Sequence, residues 1–68
     1  MNNIAKIRSR LGISQKALAL QLGWTQPRIA NYETGFRQPT LRAAQMLVHK
    51  FNELGQKVSF DDVFPSKT

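Results

Sequence analysis

Four glycines, at positions 12, 23, 35 and 55, each close a short run of apolar residues spaced three or four apart, and that punctuation leaves this chain few folds to choose from. Such spacing marks a helix with one buried stripe. A glycine just past the last turn marks its stop. The runs must share one core, because a chain of 68 residues with no cysteine can neither support two cores nor staple itself with disulfides. Ordering the chain costs roughly 1.5 kcal/mol per residue, so nearly every apolar side chain must be buried and few remain for a deep pocket. Residues 1–68 are expected to form one all-α domain, a compact bundle of five helices with a short tail over 65–68.

Asn2 or Asn3 can cap a first helix carrying Ile4, Ile7 and Leu11,. Ser14 caps a second, QKALALQL, with Leu18 and Leu22 on one face. Thr25 caps a third, and Pro27 falls in its first turn, where the missing N–H would have no intrahelical partner anyway. Gly35 stops that helix, and Pro39 disfavours helical backbone at Gln38, so a loop follows. Thr40 caps a fourth helix with Ala43, Ala44, Leu47, Val48, Phe51 and Leu54 on one side and Arg42, Gln45, His49 and Glu53 on the other,. Ser59-Phe60-Asp61-Asp62 has the form of a capping box, predicting a short fifth helix through Phe64. The alternation in Lys57-Val58-Ser59-Phe60 also fits an edge strand used in dimer pairing.

The formal net charge is +6, and its placement matters more than its size. Eight Lys or Arg and only one acid, Glu33, precede position 51, while two Lys meet three acids after it. A one-sided positive field attracts polyanions, of which nucleic acid is the usual one. No window approaches the roughly 20 apolar residues of a membrane span, and no signal peptide is evident. The absence of cysteine points to a reduced cytosol and removes thiolate metal sites. One histidine and four acids supply no plausible triad or metal cage, so no catalytic residue, cofactor or metal is expected; His49, between Gln45 and Glu53 on a polar face, reads as solvated.

Two helices joined by a three-residue turn, with Ala19 in the first and Gly23 in the turn, form the helix-turn-helix pattern over about 15–34. Ala19 lets the helices cross closely, and Leu18, Leu22, Trp24, Ile29 and Tyr32 fill the angle between them. With Ile29 facing the core, a wheel of about 100° per residue puts Pro27 near 160°, Asn31 near 200°, Thr34 near 140° and Arg28 near 260°. An ordinary solvated face would favour Glu and Lys. This one carries no acid, and its residues suit the edges of bases in a major groove: Asn for adenine, Arg for guanine or a phosphate, and the Pro27 ring for a thymine methyl. Gln26 can reach forward from the helix end. Glu33 falls near 40°, on the inner side, where a carboxylate needs a partner. Arg8 is the expected one and Arg10 its competitor.

Ile4, Ile7, Arg8, Gly12-Ile13-Ser14-Gln15, Leu18-Ala19, Leu22-Gly23, Thr25, Ile29, Glu33, Gly35 and Pro39-Thr40 together resemble the DNA-binding domain of the lambdoid phage repressors and Cro regulators, the XRE-like family. The resemblance covers roughly residues 4–54 and implies a third helix lying in the major groove of operator DNA. It implies base reading by Gln26, Pro27, Arg28 and Asn31. Phosphate contacts are implied for Ser14, Gln15, Thr25, Thr34, Arg37 and Gln38, with Gln15 also bracing Gln26. Arg8 and Glu33 match the family's internal ion pair. Two residues depart from the pattern: Pro27 replaces a hydrogen-bonding residue, and Trp24 is larger than the usual aliphatic side chain of the turn.

Such domains usually bind as two-fold pairs, so a homodimer, weak without DNA, is expected through Val58, Phe60, Val63 and Phe64, although these four can instead cap the core. The chain ends soon after its fifth helix, which fits a Cro-like repressor binding a palindromic operator in the bacterial cytoplasm, associated with the nucleoid. The same domain also serves antitoxins of toxin–antitoxin pairs, for which Leu20 on the outer side of the second helix is the residue to watch, and controllers of restriction enzyme expression.

Overall fold

Where the sequence places a stop, the backbone turns left-handed. Gly23 (φ 72°) and Gly35 (φ 80°) lie in that region with Gly12 and Gly55, and no other described residue has positive φ. At Gly23 an added Cβ would meet nothing within 4 Å, so glycine is required there by conformation, not by space. Its left-handed turn also lets the Trp24 amide donate to the Ala19 carbonyl at 2.9 Å, satisfying a helix-end acceptor.

The computed structural model describes residues 2–66. Among them are five helices, α1 (Ile4–Leu11), α2 (Gln15–Leu22), α3 (Gln26–Thr34), α4 (Leu41–Glu53) and α5 (Phe60–Val63), and no strand. Ser14 Oγ accepts from the Ala17 amide at 3.0 Å, and Thr40 Oγ1 from the Ala43 amide at 3.1 Å. Both are the expected N-caps. Thr25 takes the N-cap position with extended backbone, but its hydroxyl makes no capping bond. The asparagines work differently from the expectation. Asn3 stands at the cap of α1 without a capping bond; Asn2 Oδ1 accepts from the Ile4 amide at 3.1 Å, while Asn2 Nδ2 donates to the Tyr32 carbonyl at 2.7 Å. Asn3 Nδ2 donates to the Asp62 carbonyl at 2.8 Å. The two amides thus tie the start of the chain to α3 and α5.

The core lies between α1, α2, α3 and α4 and is closed by α5. Ile4, Leu18, Ile29, Leu47, Phe51 and Val63 are each fully buried, and Tyr32 is 8% exposed. Trp24, Leu11, Ile13, Leu22, Val48 and Leu54 pack around them. α2 packs most extensively on α3, as two helices joined by a three-residue turn must.

The C-terminal part corrects two expectations. Val63 is a core residue, so it has no surface to offer a second chain; it is the buried position of a helix too short to present both faces. Val58 and Phe64 also pack against the core, half-buried. Residues 57–60 form no edge strand, because Asn52 takes the backbone groups a neighbour would need. Its Nδ2 donates to the Val58 carbonyl at 2.7 Å, and its Oδ1 accepts from the Val58 amide at 3.2 Å. The capping box is present: Ser59 Oγ accepts from the Asp62 amide, and the Asp62 carboxylate accepts from the Ser59 amide at 2.8 Å. The helix it starts ends at Val63, with Phe64 as its cap.

Candidate nucleic-acid interface

The site begins beneath α3. Arg8 Nε donates to Glu33 Oε2 at 2.6 Å and its Nη2 to Oε1 at 3.2 Å, a fork-on-carboxylate pair. Nη1 donates to the Ile13 carbonyl at 2.9 Å. The Glu33 side chain is 7% exposed and that of Arg8 18%, so Glu33 is the inward acid that the wheel requires. Arg10, the competitor, lies elsewhere, in a groove shared with Lys6, Lys57 and Asp62.

From this pair a relay of amides leads outward. Gln15 Nε2 donates to Glu33 Oε1 at 2.8 Å, and Gln26 Nε2 donates to Gln15 Oε1 at 2.5 Å. The first residue of α3 is therefore held by a chain of hydrogen bonds that ends on a nearly buried charge. Gln26 keeps its Oε1 and one N–H for other partners.

Pro27, Arg28 and Thr34 are exposed, and Asn31 is half-buried; none of the expected outward residues joins the core. Asn31 sits deeper because the loop after α3 folds against it. The Arg37 amide donates to the Asn31 carbonyl at 3.1 Å, and the Thr34 hydroxyl donates to the same carbonyl at 3.3 Å while accepting from the Phe36 amide at 3.3 Å. Thr34 is thus occupied in shaping the loop. The result is a groove of about 450 Å³ lined by Thr25, Pro27, Arg28, Asn31, Tyr32, Arg37 and Gln38, with no acid among them. Eight of the ten sequence-predicted base and phosphate residues line this groove or its glutamine rim, counting Gln15 and Gln26 with Thr25, Pro27, Arg28, Asn31, Arg37 and Gln38; Ser14 and Thr34 lie at the helix ends.

Three features were not anticipated. Arg28 does not project freely: its guanidinium carbon lies 4.0 Å from the Trp24 ring centroid, and Nε donates to the Tyr32 hydroxyl at 3.0 Å. The i, i+4 spacing from Trp24 to Arg28 and from Arg28 to Tyr32 was the available signal. Phe36 is 76% exposed, its ring 5.8 Å from the Arg37 guanidinium carbon. Leu41, at the start of α4, is 66% exposed. Neither has periodicity to flag it, since one is in a loop and the other in a first turn.

Away from this surface, His49 Nε2 lies 3.4 Å from Glu53 Oε2, both side chains solvent-accessible. The Lys50 ammonium, 2.7 Å from the other carboxylate oxygen, holds the Glu53 carboxyl below the usual value, with a smaller contribution from His49. No cluster of His, Asp or Glu among the described residues could hold a metal ion, and no helix is long and apolar enough to cross a membrane.

Comparison with known proteins agrees with this geometry. A family model described as helix-turn-helix matches residues 4–54, a span from the start of α1 to the cap of α4. No curated protein and no solved structure matches the chain. The matched span carries the turn at Gly23, the Arg8–Glu33 pair and the exposed start of α3 in one unit, and the chain accordingly belongs to the XRE-type helix-turn-helix family of lambda repressor/Cro-like DNA-binding transcriptional regulators.

Proposed function

We propose that this regulator is a Cro-like repressor of phage or prophage type that reads a palindromic operator as a homodimer. The observation that carries the reading is the acid-free outer face of α3, with Pro27 exposed and Asn31 at the floor of a groove flanked by Arg28 and Arg37. Gln26 and Asn31 are the base readers, each able to pair an amide with adenine, and Pro27 contributes an apolar ring for a thymine methyl. Ser14 keeps its hydroxyl hydrogen for a phosphate while its oxygen caps α2, and the Thr25 hydroxyl makes no capping bond and is left for the same use,. Arg37 and Gln38 hold the backbone on the far side, with Thr34 ordering their loop.

One domain covers few base pairs, so two are expected on half-sites one DNA turn apart, about 34 Å. With Val63 buried, the apolar surface left for a weak dimer is Phe60, 40% exposed, and Leu41, with the half-buried Val58 and Phe64 beside the core. Occupancy of a promoter by such a dimer excludes polymerase without chemistry. Selection of binding sites from random duplexes tests this: recovered sites should be two-fold symmetric with half-sites one turn apart. Asymmetric single sites would reject the dimer and leave the family assignment untouched.

An antitoxin role is the second reading. It rests on Leu20, 73% exposed on α2, a position the groove does not use. Under that reading Leu20→Asp would abolish binding of a toxin partner and leave operator binding intact.

A further inference from the structure

Arg28 is the single cation of α3, and its side chain lies against two aromatic rings. The guanidinium lies 4.0 Å over Trp24 and 5.6 Å from the Tyr32 ring, with Nε bonded to the Tyr32 hydroxyl. The two rings meet edge to face, 5.7 Å apart at 81°, so each braces the other and together they make a corner for the cation. Tyr32 is buried and Trp24 half-buried, which makes the corner part of the rigid core and not a surface accident. Arg28's Nη1 and Nη2 make no hydrogen bond among the described residues. They belong to a residue lining the groove, where no carboxylate competes for them.

We propose that Trp24, Tyr32 and Arg28 form a preassembled clamp for one backbone phosphodiester of the duplex, with Arg28 supplying both Nη groups and Trp24 acting as its positioning residue. The inference rests on the DNA-reading surface described above and changes the part Arg28 plays in it. To reach a base edge, Arg28 would have to leave the stack and give up its bond to Tyr32. To grip a phosphate it uses donors already unpartnered, in the two-pronged form that suits phosphate oxygens. An arginine held before binding loses less rotamer freedom on binding.

The test measures affinity against salt concentration for the wild type, Arg28→Ala, Trp24→Leu, Trp24→Phe and the double variant W24L/R28A, on a duplex recovered by selection and on a scrambled duplex of equal length. Arg28→Ala should weaken binding to both roughly tenfold, make the slope of log K against log salt shallower by about 0.9, and leave base preferences unchanged. Trp24→Leu should reproduce part of that loss, add nothing once Arg28 is absent, and be rescued by Trp24→Phe, which keeps a ring face. Trp24 is the sole tryptophan, so its emission in the free protein should shift in Arg28→Ala; circular dichroism confirms folding of each variant, and Trp24→Phe covers a Trp24→Leu that fails to fold. An Arg28→Ala variant with an unaltered salt slope and relaxed preference at one base pair overturns the clamp and makes Arg28 a base reader. Additive losses in the double variant overturn Trp24's part. A wild type that binds neither duplex overturns the DNA-reading surface itself, and the clamp with it.

Discussion

Gln15 donates a 2.8 Å hydrogen bond to Glu33, and through this contact the first residue of α2 is tied to the ion pair beneath α3. Gln15 in turn accepts from Gln26, so a charge at the edge of the core fixes the orientation of an amide on the exposed surface. With one N–H used internally, Gln26 presents an acceptor and a donor side by side, the pattern complementary to adenine. Under the proposed function stability and recognition share these atoms, and substitutions along the relay should separate the two.

Glu33→Ala should destabilise the fold by about 3 kcal/mol, because it strands Arg8, 18% exposed, without its carboxylate,. Denaturant titration followed by circular dichroism measures this. Glu53→Ala, which breaks an exposed pair with Lys50, should leave the midpoint unmoved within error.

Gln15→Ala should act chiefly on recognition. It leaves the Arg8–Glu33 pair in place and releases Gln26, so operator affinity should fall by about 1–2 kcal/mol and discrimination should loosen at the base pair Gln26 meets. Competition binding with single-base operator variants would show it. An even loss across all positions would mean that Gln15 only holds a phosphate.

Phe51→Ala should cost about 3–5 kcal/mol. Phe51 is fully buried in the last turn of α4, and a domain of this size has little more than that to lose. The thermal transition should be broad or absent at room temperature.

Acid should loosen the fifth helix before the rest. The Ser59 amide, then its hydroxyl, hold the Asp62 carboxyl below the ordinary carboxylate value. A depressed folded-state pKa means that the stabilisation is present above the unfolded value, about pH 4, and is lost as pH falls through the lower folded value. Protection of the Ser59 and Asp62 amides, relative to the intrinsic exchange rate at each pH, should therefore fall below about pH 4, and Asp62→Asn should remove that pH dependence.

Helix existence and stops could be read from local chemistry, because glycine and capping residues act within one turn. The Arg8–Glu33 pair was legible for a different reason: an inward acid on a helical wheel has to find a cation. What stayed hidden depends on side chains meeting across the fold. Val63 could be read from the sequence either as dimer surface or as a cap on the core, and only the packing of a four-residue helix decides for the core. Asn52 reaches six residues forward to consume the backbone of Val58, and no pattern in 57–60 signals that. Arg28 was expected to face outward, and its angle on the wheel is right, but a wheel is silent about a neighbouring ring that draws the side chain down.

Every residue role proposed above depends on contact between α3's outer face and duplex DNA. Titration of the labelled protein with a selected duplex, followed by amide and side-chain NMR signals, tests it most directly. The largest shifts are expected at Gln26, Pro27's neighbours, Asn31 and Arg37, with the Gln26 and Asn31 side-chain amides moving in the wild type and Asn31→Ala losing about 1–3 kcal/mol of affinity. Shifts gathered on α4 or α5 while residues 26–37 stay unmoved would contradict it.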